Sequence, residues 1–334
     1  MKSINEIKKK IEILKHLDKR FEIFGASSHK YEFNRTISIE ELNHFEEKYK
    51  VTLPEDYKAF LNEVGNGGAG PYYGIYPLKK DLGGVENKFE LLQFDFPHKE
   101  EWNLSEKFFT KFDEITGADY EDDENFDEEV AYFFDHIFWS NYYKDELTYG
   151  SIYISNYGCG LRFLFIISGE EKGNIWFDGR ADRGGIYPEI DDKENHIGFS
   201  DWYINWLNES ILKIKELENW TKIKFEEFKK KEKFLADSRL SYLGVENLTT
   251  RSILNEIINE IADIYKEISE KNDVYNEEKK LETNIKKFAS DSLTLKTEDR
   301  KRIYSYFEEI MHIVRIDIRY KQGFMYYLED ELGI

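Results

Sequence analysis

Cysteine is almost absent: Cys159 stands alone in the chain. A single thiol excludes an intramolecular disulfide and any cysteine-based zinc cluster. Long apolar runs are missing too. None approaches the roughly 20 residues that a membrane-spanning helix needs. The opening segment, MKSINEIKKK, has no apolar core and no small-residue cleavage site, so no secretory signal is expected. These absences predict a cytoplasmic chain with no membrane partner. Histidines are scattered, and none pairs with another at metal-ligand spacing. Glu41 and His44 stand three apart on one predicted helix, too few ligands for a site. Gly65 to Gly70 is rich in glycine, but it follows a helix rather than a strand. No Gly-Lys-Ser/Thr accompanies it, so it reads as a turn rather than a phosphate loop.

Positive charge is in deficit. The 334 residues carry a net charge of −20. Residues 1–210 hold 24 Lys/Arg against 42 Asp/Glu, a net of −18. Such a field repels nucleic acid and favours a basic protein partner. Solubility alone is the plainer account of the same charge. The length suffices for two domains. Aromatics make up 16% of the residues, enough to supply large core side chains to both.

The chain is organised around Leu53 to Leu78, LPEDYKAFLNEVGNGGAGPYYGIYPL. Pro54 suits the first helical position, where its missing N–H is no loss. Tyr57, Phe60, Leu61 and Val64 fall on one helical face. Gly65 is placed to cap the helix C-terminus at positive φ. Tyr72 to Leu78 reads as a short strand closed by Pro77. Downstream, Tyr149 to Pro188 contains Gly158-Cys159-Gly160, an apolar strand and a strand bearing Trp176. Asp201-Trp202-Tyr203 and Trp206-Leu207 open a closing helix.

Together these blocks resemble the SUKH superfamily, the Smi/Knr-like proteins, over roughly residues 35–210. The residues carrying the resemblance are Leu53, Pro54, Tyr57, Phe60, Gly67 and Gly68 in the first block. In the second they are Gly158, Gly160, Trp176 and Trp202. The resemblance implies a compact α+β domain that binds another protein. Bacterial members are commonly immunity proteins that neutralise a toxin, often a nuclease.

The remaining elements follow from local pattern. Residues 4–20 show a helical apolar stripe. Ser38 and Glu41 form a capping box before the next helix. Residues 105–115 and about 127–142 read as helices, whereas Phe89 to Trp102 fits strand or irregular structure. Ser151–Ser155, Leu161–Ile167 and Gly173–Phe177 read as three strands, spaced for antiparallel hairpins. A helix from Ser200 runs past Leu217 to about 237. After Leu217 strand signals vanish. Helices are expected at 249–272, with Thr249 or Thr250 as cap, at 276–289, and at 297–321, capped by Thr297. The predicted architecture is therefore an α+β domain over 1–217, with a mostly antiparallel central sheet flanked by helices. An α-helical bundle over 218–334 follows it.

One further stretch stands out. Seven of the nine residues from Glu121 to Glu129 are carboxylates: Glu121, Asp122, Asp123, Glu124, Asp127, Glu128 and Glu129. Such density must face water, and it lies between the two signature blocks. These seven are the candidate contacts to a partner. Trp102, Trp139 and Trp220, outside the signature, are candidate interface anchors if exposed. Asp178, Arg180, Asp182 and Arg183 could serve a hydrolase, but local salt bridges at a strand end explain them as well. Cys159 as a nucleophile would need a base such as His196. No catalytic residue, metal ligand or cofactor is expected. The expected function is to bind and neutralise a cognate protein toxin. A regulatory scaffold, like the fungal relatives, and a hydrolase using Asp178 and Asp182 are the alternatives.

Overall fold

The computed structural model describes residues 2–116, 138–270 and 295–315, together with Tyr326. The chain divides into two compact units, Met1–Ile214 and Lys215–Ile334. Helices α1 (Lys2–Leu17), α2 (Ala26–His29), α3 (Ile39–Tyr49) and α4 (Glu55–Glu63) open the first unit. Then come α5 (Glu106–Thr116) and α6 (Trp139–Tyr142), followed by strands β1 (Ser151–Gly158), β2 (Leu161–Ile166), β3 (Ile175–Asp178) and β4 (Ile186–Pro188). Helix α7 (Phe199–Lys230) continues across the division. Helices α8 (Leu248–Glu270) and α9 (Thr297–Ile313) belong to the second unit.

The sheet is antiparallel throughout, in the order β1-β2-β3-β4. Both faces are covered, which is why β2 and β3 are apolar on both sides. On one face Phe165 meets Tyr57 of α4 and Phe163 meets Trp202 of α7, with ring centroids 4.9 and 5.1 Å apart. On the other, Leu164, Ile166, Trp176 and Ile186 pack with Phe96 and Leu147. Trp102 exchanges two backbone hydrogen bonds with Ile186, at 2.8 and 2.7 Å, and so covers the open edge of β4.

Local signals held where one element alone decided them. Ser38 accepts from the Glu41 amide, and Glu41 returns the bond to the Ser38 amide. Other expectations are corrected. Pro54 is the N-cap of α4, not its first residue. Gly65 does not sit at positive φ; Val64 is the C-cap. What Gly65 needs is room, since a Cβ there would lie 2.8 Å from the Asn34 carbonyl oxygen. Tyr72 to Leu78 forms no strand. Pro71, Gly74 and Pro77 limit it to isolated bridges, Ile75 with Gly68 and Ile75 with Ser155. Phe89–Leu91 is a single 3-10 turn. β4 is a fourth strand that its three residues did not announce.

In the second unit the cap of α8 is Asn247, whose Oδ1 accepts from the Thr250 amide at 2.9 Å. Thr297 is the first residue of α9, behind a Lys296 cap that makes no side-chain bond. Helix 276–289 lies outside the described residues. The core of this unit joins Phe225 and Phe228 of α7, Ile258 and Tyr265 of α8, and Phe307 of α9, among others. Lys233 is buried beside the end of α7, where its ammonium donates to the Phe228 carbonyl at 2.8 Å and to Asn259 Oδ1 at 2.7 Å. It also donates to the Lys231 carbonyl at 3.2 Å, so two carbonyls at the end of the helix and a fixed amide replace water around the charge. Burial still pushes the ammonium down to about 8.

His29 gives the first unit a dependence on acid. It is 9% exposed, and its Nδ1 accepts from the Tyr31 amide at 3.1 Å. Its Nε2 faces the backbone of Gly70 and Tyr72 without a hydrogen bond of good geometry. Burial lowers its pKa from 6.5 to about 4. The unfolded chain therefore takes up a proton near pH 6.5 that the folded chain refuses until about pH 4. Stability should fall as pH drops through that window, by roughly 3 kcal/mol at its end. In His29→Asn, whose Oδ1 can still accept from Tyr31, this part of the pH slope should vanish. Urea titrations of both proteins at pH 7, 5.5 and 4.5 would measure it, and equal slopes would clear His29 of the effect.

Candidate partner-binding surface

The seven carboxylates Glu121, Asp122, Asp123, Glu124, Asp127, Glu128 and Glu129 lie outside the described residues, as does His136. The elements on either side of them are described, and both are fastened to the sheet. On the near side, Asp113 of α5 receives Arg183 in a two-pronged pair, with contacts of 3.0 and 2.8 Å. Both partners are exposed, so the pair positions more than it stabilises. On the far side, Phe138 and Tyr142 are buried against Phe108, Phe109 and Trp102.

Arg180 is what ties down the far side. It is 4% exposed. Its Nε and Nη2 donate to the two oxygens of Asp178 at 2.7 and 2.6 Å, and its Nη1 donates to the Tyr142 carbonyl at 2.9 Å. The Tyr143 ring lies 5.1 Å from its guanidinium, and the Tyr143 hydroxyl donates to the Arg180 carbonyl. Burial alone would push the guanidinium down. The bonds and charge of Asp178 outweigh it and hold Arg180 above its ordinary value. Both oxygens of Asp178 are engaged by the buried Arg180, while Asp182 is exposed at the turn. The salt-bridge account of the cluster is therefore the one the geometry supports.

The other chemical candidates are placed as follows. Cys159 is exposed at the turn between β1 and β2. His196 is held elsewhere, its Nδ1 2.6 Å from Glu171 Oε2. The same oxygen accepts from Asn174 and from the Trp176 indole, at 3.0 and 3.2 Å. Burial would raise the Glu171 carboxyl, but these three donors leave it below its usual range. The group closes the β2–β3 hairpin. Among the described residues, no three His, Cys, Asp or Glu side chains gather where they could hold a metal ion.

The tryptophans separate by exposure. Trp176 and Trp202 are buried, and Trp102 packs in the core. Trp139 is 48% exposed. It follows the acidic segment by ten residues, and its ring meets that of Tyr143 at 4.7 Å, tilted by 35°. Of the candidate anchors in the first unit, Trp139 fits the role. Trp220 is 37% exposed, beside His312 in the second unit.

The signature residues sit where an architectural role requires. Leu53, Tyr57 and Phe60 are buried, and Pro54 caps α4. Gly67, Gly68, Gly158 and Gly160 all have positive φ. At Gly68 a Cβ would lie 2.5 Å from the Glu32 carbonyl oxygen, so only glycine lets the turn close on that strand-like segment. The SMI1/KNR4 family (SUKH-1) matches residues 36–195. Residues 36–195 are a SUKH-1 domain. The match stops short of Trp202 and the α7 helix that the resemblance had included. A second match, to a domain of unknown function (DUF4844), covers residues 215–328. Neither the curated proteins nor the solved structures hold a match to the chain. Among the described residues, no helix is long and apolar enough to cross a membrane. The SUKH-1 match thus covers the four-stranded sheet and helices α3 to α6, on which the exposed segments are carried.

Proposed function

We propose that the chain is a non-enzymatic, cytoplasmic immunity protein that binds and neutralises a cognate protein toxin. The observation that carries this reading is the SUKH-1 match over residues 36–195. The charge of the first unit supports it: residues 1–214 hold 25 Lys/Arg and 42 Asp/Glu, a net of −17. Neutralisation then works by occlusion, with the acidic surface drawing in a basic toxin face and raising the encounter rate. The test is to identify the product of the neighbouring gene and, where it is a toxin, to co-express the two. Restored growth and a stoichiometric complex are expected. Unrelieved toxicity with no complex would sink the proposal.

Within this reading, the acidic segment steers association. Neutralising Asp122, Asp123, Glu124 and Asp127 together, to Asn or Gln, should slow association with the toxin far more than it speeds dissociation. The effect should shrink above about 0.15 M salt, where the Debye length falls below roughly 8 Å. Stability should hold or improve, since self-repulsion is removed. Stopped-flow association at two salt concentrations, wild type beside the quadruple variant, measures this. Equal on-rates at low salt would take the segment out of the interface.

A further inference from the structure

One end of the sheet carries an aromatic surface that water reaches. Phe24 is 51% exposed, Tyr73 43% and Tyr157 39%. Their rings touch: Phe24 lies 5.3 Å from Tyr73 and 6.1 Å from Tyr157, and Tyr157 lies 4.6 Å from Tyr72. Tyr157 also abuts Phe177, which meets Tyr187 of β4 at 5.2 Å. Five separate stretches of chain therefore converge on one patch.

The backbone is arranged to hold it. Tyr72 sits at φ 55, a conformation that costs a bulky residue energy. Gly25 passes so close beneath that a Cβ there would fall 1.9 Å from the Tyr72 carbonyl oxygen. Gly158 leaves space for the Tyr73 ring, 3.2 Å from where its Cβ would be.

Two carboxylates border the rings. Glu189 is half-buried, and no cation or hydrogen-bond donor meets its side chain among the described residues. Burial raises its pKa, and the neighbouring charge of Glu209 adds to the rise. Tyr72 is pushed up to about 12, by burial first and then by the charge of Glu189, with Glu209 contributing. Glu189 is thus a poorly solvated charge beside exposed π-faces, with the exposed Glu209 adding like charge nearby.

We propose that this patch receives an exposed arginine side chain of a basic protein partner. A guanidinium can lie flat on tyrosine or phenylalanine faces while its N–H groups bind a carboxylate. It would relieve the repulsion between Glu189 and Glu209 and give Glu189 the partner that it lacks. An aliphatic anchor would fill the aromatic surface but leave Glu189 without a partner. Lysine offers a point charge without the flat stacking surface. The class of partner rests on the toxin-binding reading above; the arginine site itself does not.

The test uses the full chain with 13C-labelled tyrosine rings. The probe is an acetylated, amidated Gly-Ser-Arg-Gly-Ser peptide, beside the same peptide with citrulline in place of arginine. The arginine peptide should shift the Tyr72 and Tyr157 signals with Kd on the order of 1 mM, and the citrulline peptide should not. Glu189→Gln combined with Glu209→Gln should weaken binding about tenfold. Glu100→Gln with Glu101→Gln, two exposed acids on the loop before Trp102, removes the same charge and should change it less than about twofold. Equal binding of the two peptides would overturn the proposal. So would equal losses in the two double variants, because the peptide would then be answering net charge. No toxin is needed, so failure here leaves the neutralisation reading standing, and failure of neutralisation leaves this site to be judged on the peptide.

Discussion

Phe60→Ala should destabilise the first unit by roughly 3–5 kcal/mol. The side chain is fully buried. Its ring meets Phe199 at 5.1 Å, Tyr203 at 5.4 Å and Phe33 at 6.0 Å, all tilted or edge-on. Truncation therefore forfeits transfer energy and edge-to-face contacts at once, and three rigid rings cannot close the hole cheaply. Helix α4 has only 9 residues, too few to be stable without the packing of this face. The loss is a large part of the roughly 5–15 kcal/mol typical of a domain. Urea unfolding followed by tryptophan fluorescence would measure it. Phe94→Ala is the control, because Phe94 is 46% exposed; it should cost under about 1 kcal/mol. If Phe60→Ala cost no more than that, α4 would not owe its place to this face.

Phe60 was legible from sequence because helical spacing puts it beside Tyr57 and Leu61, and a capped apolar stripe has one inward side. The Ser38–Glu41 box was legible for the same reason: four residues contain the whole interaction. β2 and β3 were legible because a strand covered on both faces must be apolar along its length. β4 was not, since Ile186, Tyr187 and Pro188 become a strand only by pairing with β3. The segment Tyr72 to Leu78 misled in the opposite direction. Its alternation is that of a strand, but Gly74 at φ 95 and two prolines break the ladder after single bridges. The caps of α8 and α9 were misplaced by a few residues, because Asn247, Thr249 and Thr250 are all competent acceptors and only the backbone turn chooses among them.

The candidate surfaces were legible in proportion to how local they are. The acidic segment is contiguous and announces itself by composition, although its seven carboxylates fall outside the described residues. The aromatic patch joins Phe24, Tyr72 and Tyr73, Tyr157 and Tyr187, and no window of sequence contains it. Its traces were Gly25 and Gly158, whose reason for being glycine is the close approach of another segment. Arg180 was equally hidden. Read in sequence it is one charge among several. It becomes buried only because Tyr142, thirty-eight residues earlier, returns to offer a carbonyl.

That buried pair carries the second large expected effect. Asp178→Ala should cost roughly 3–5 kcal/mol, because it strands the Arg180 guanidinium without a counter-charge. Arg180→Met should cost a similar amount by leaving Asp178 charged and unpaired, and it also orphans the Tyr142 carbonyl. The double variant, Asp178→Leu with Arg180→Met, should be milder than either single change. Taking both charges from a dry site removes two desolvation penalties along with one attraction, and apolar side chains can fill the space beside Tyr143. A double-mutant cycle in urea would show this as strong coupling. Hydrogen exchange supplies a readout beyond global stability. The Gly185 amide donates to the Tyr142 hydroxyl at 3.2 Å, so it should lose protection in both single variants, while the Leu164 amide within β2 changes only with global stability. Additive effects, each below about 1 kcal/mol, would mean that Arg180 fills space rather than clamping the segment 138–143 to the sheet.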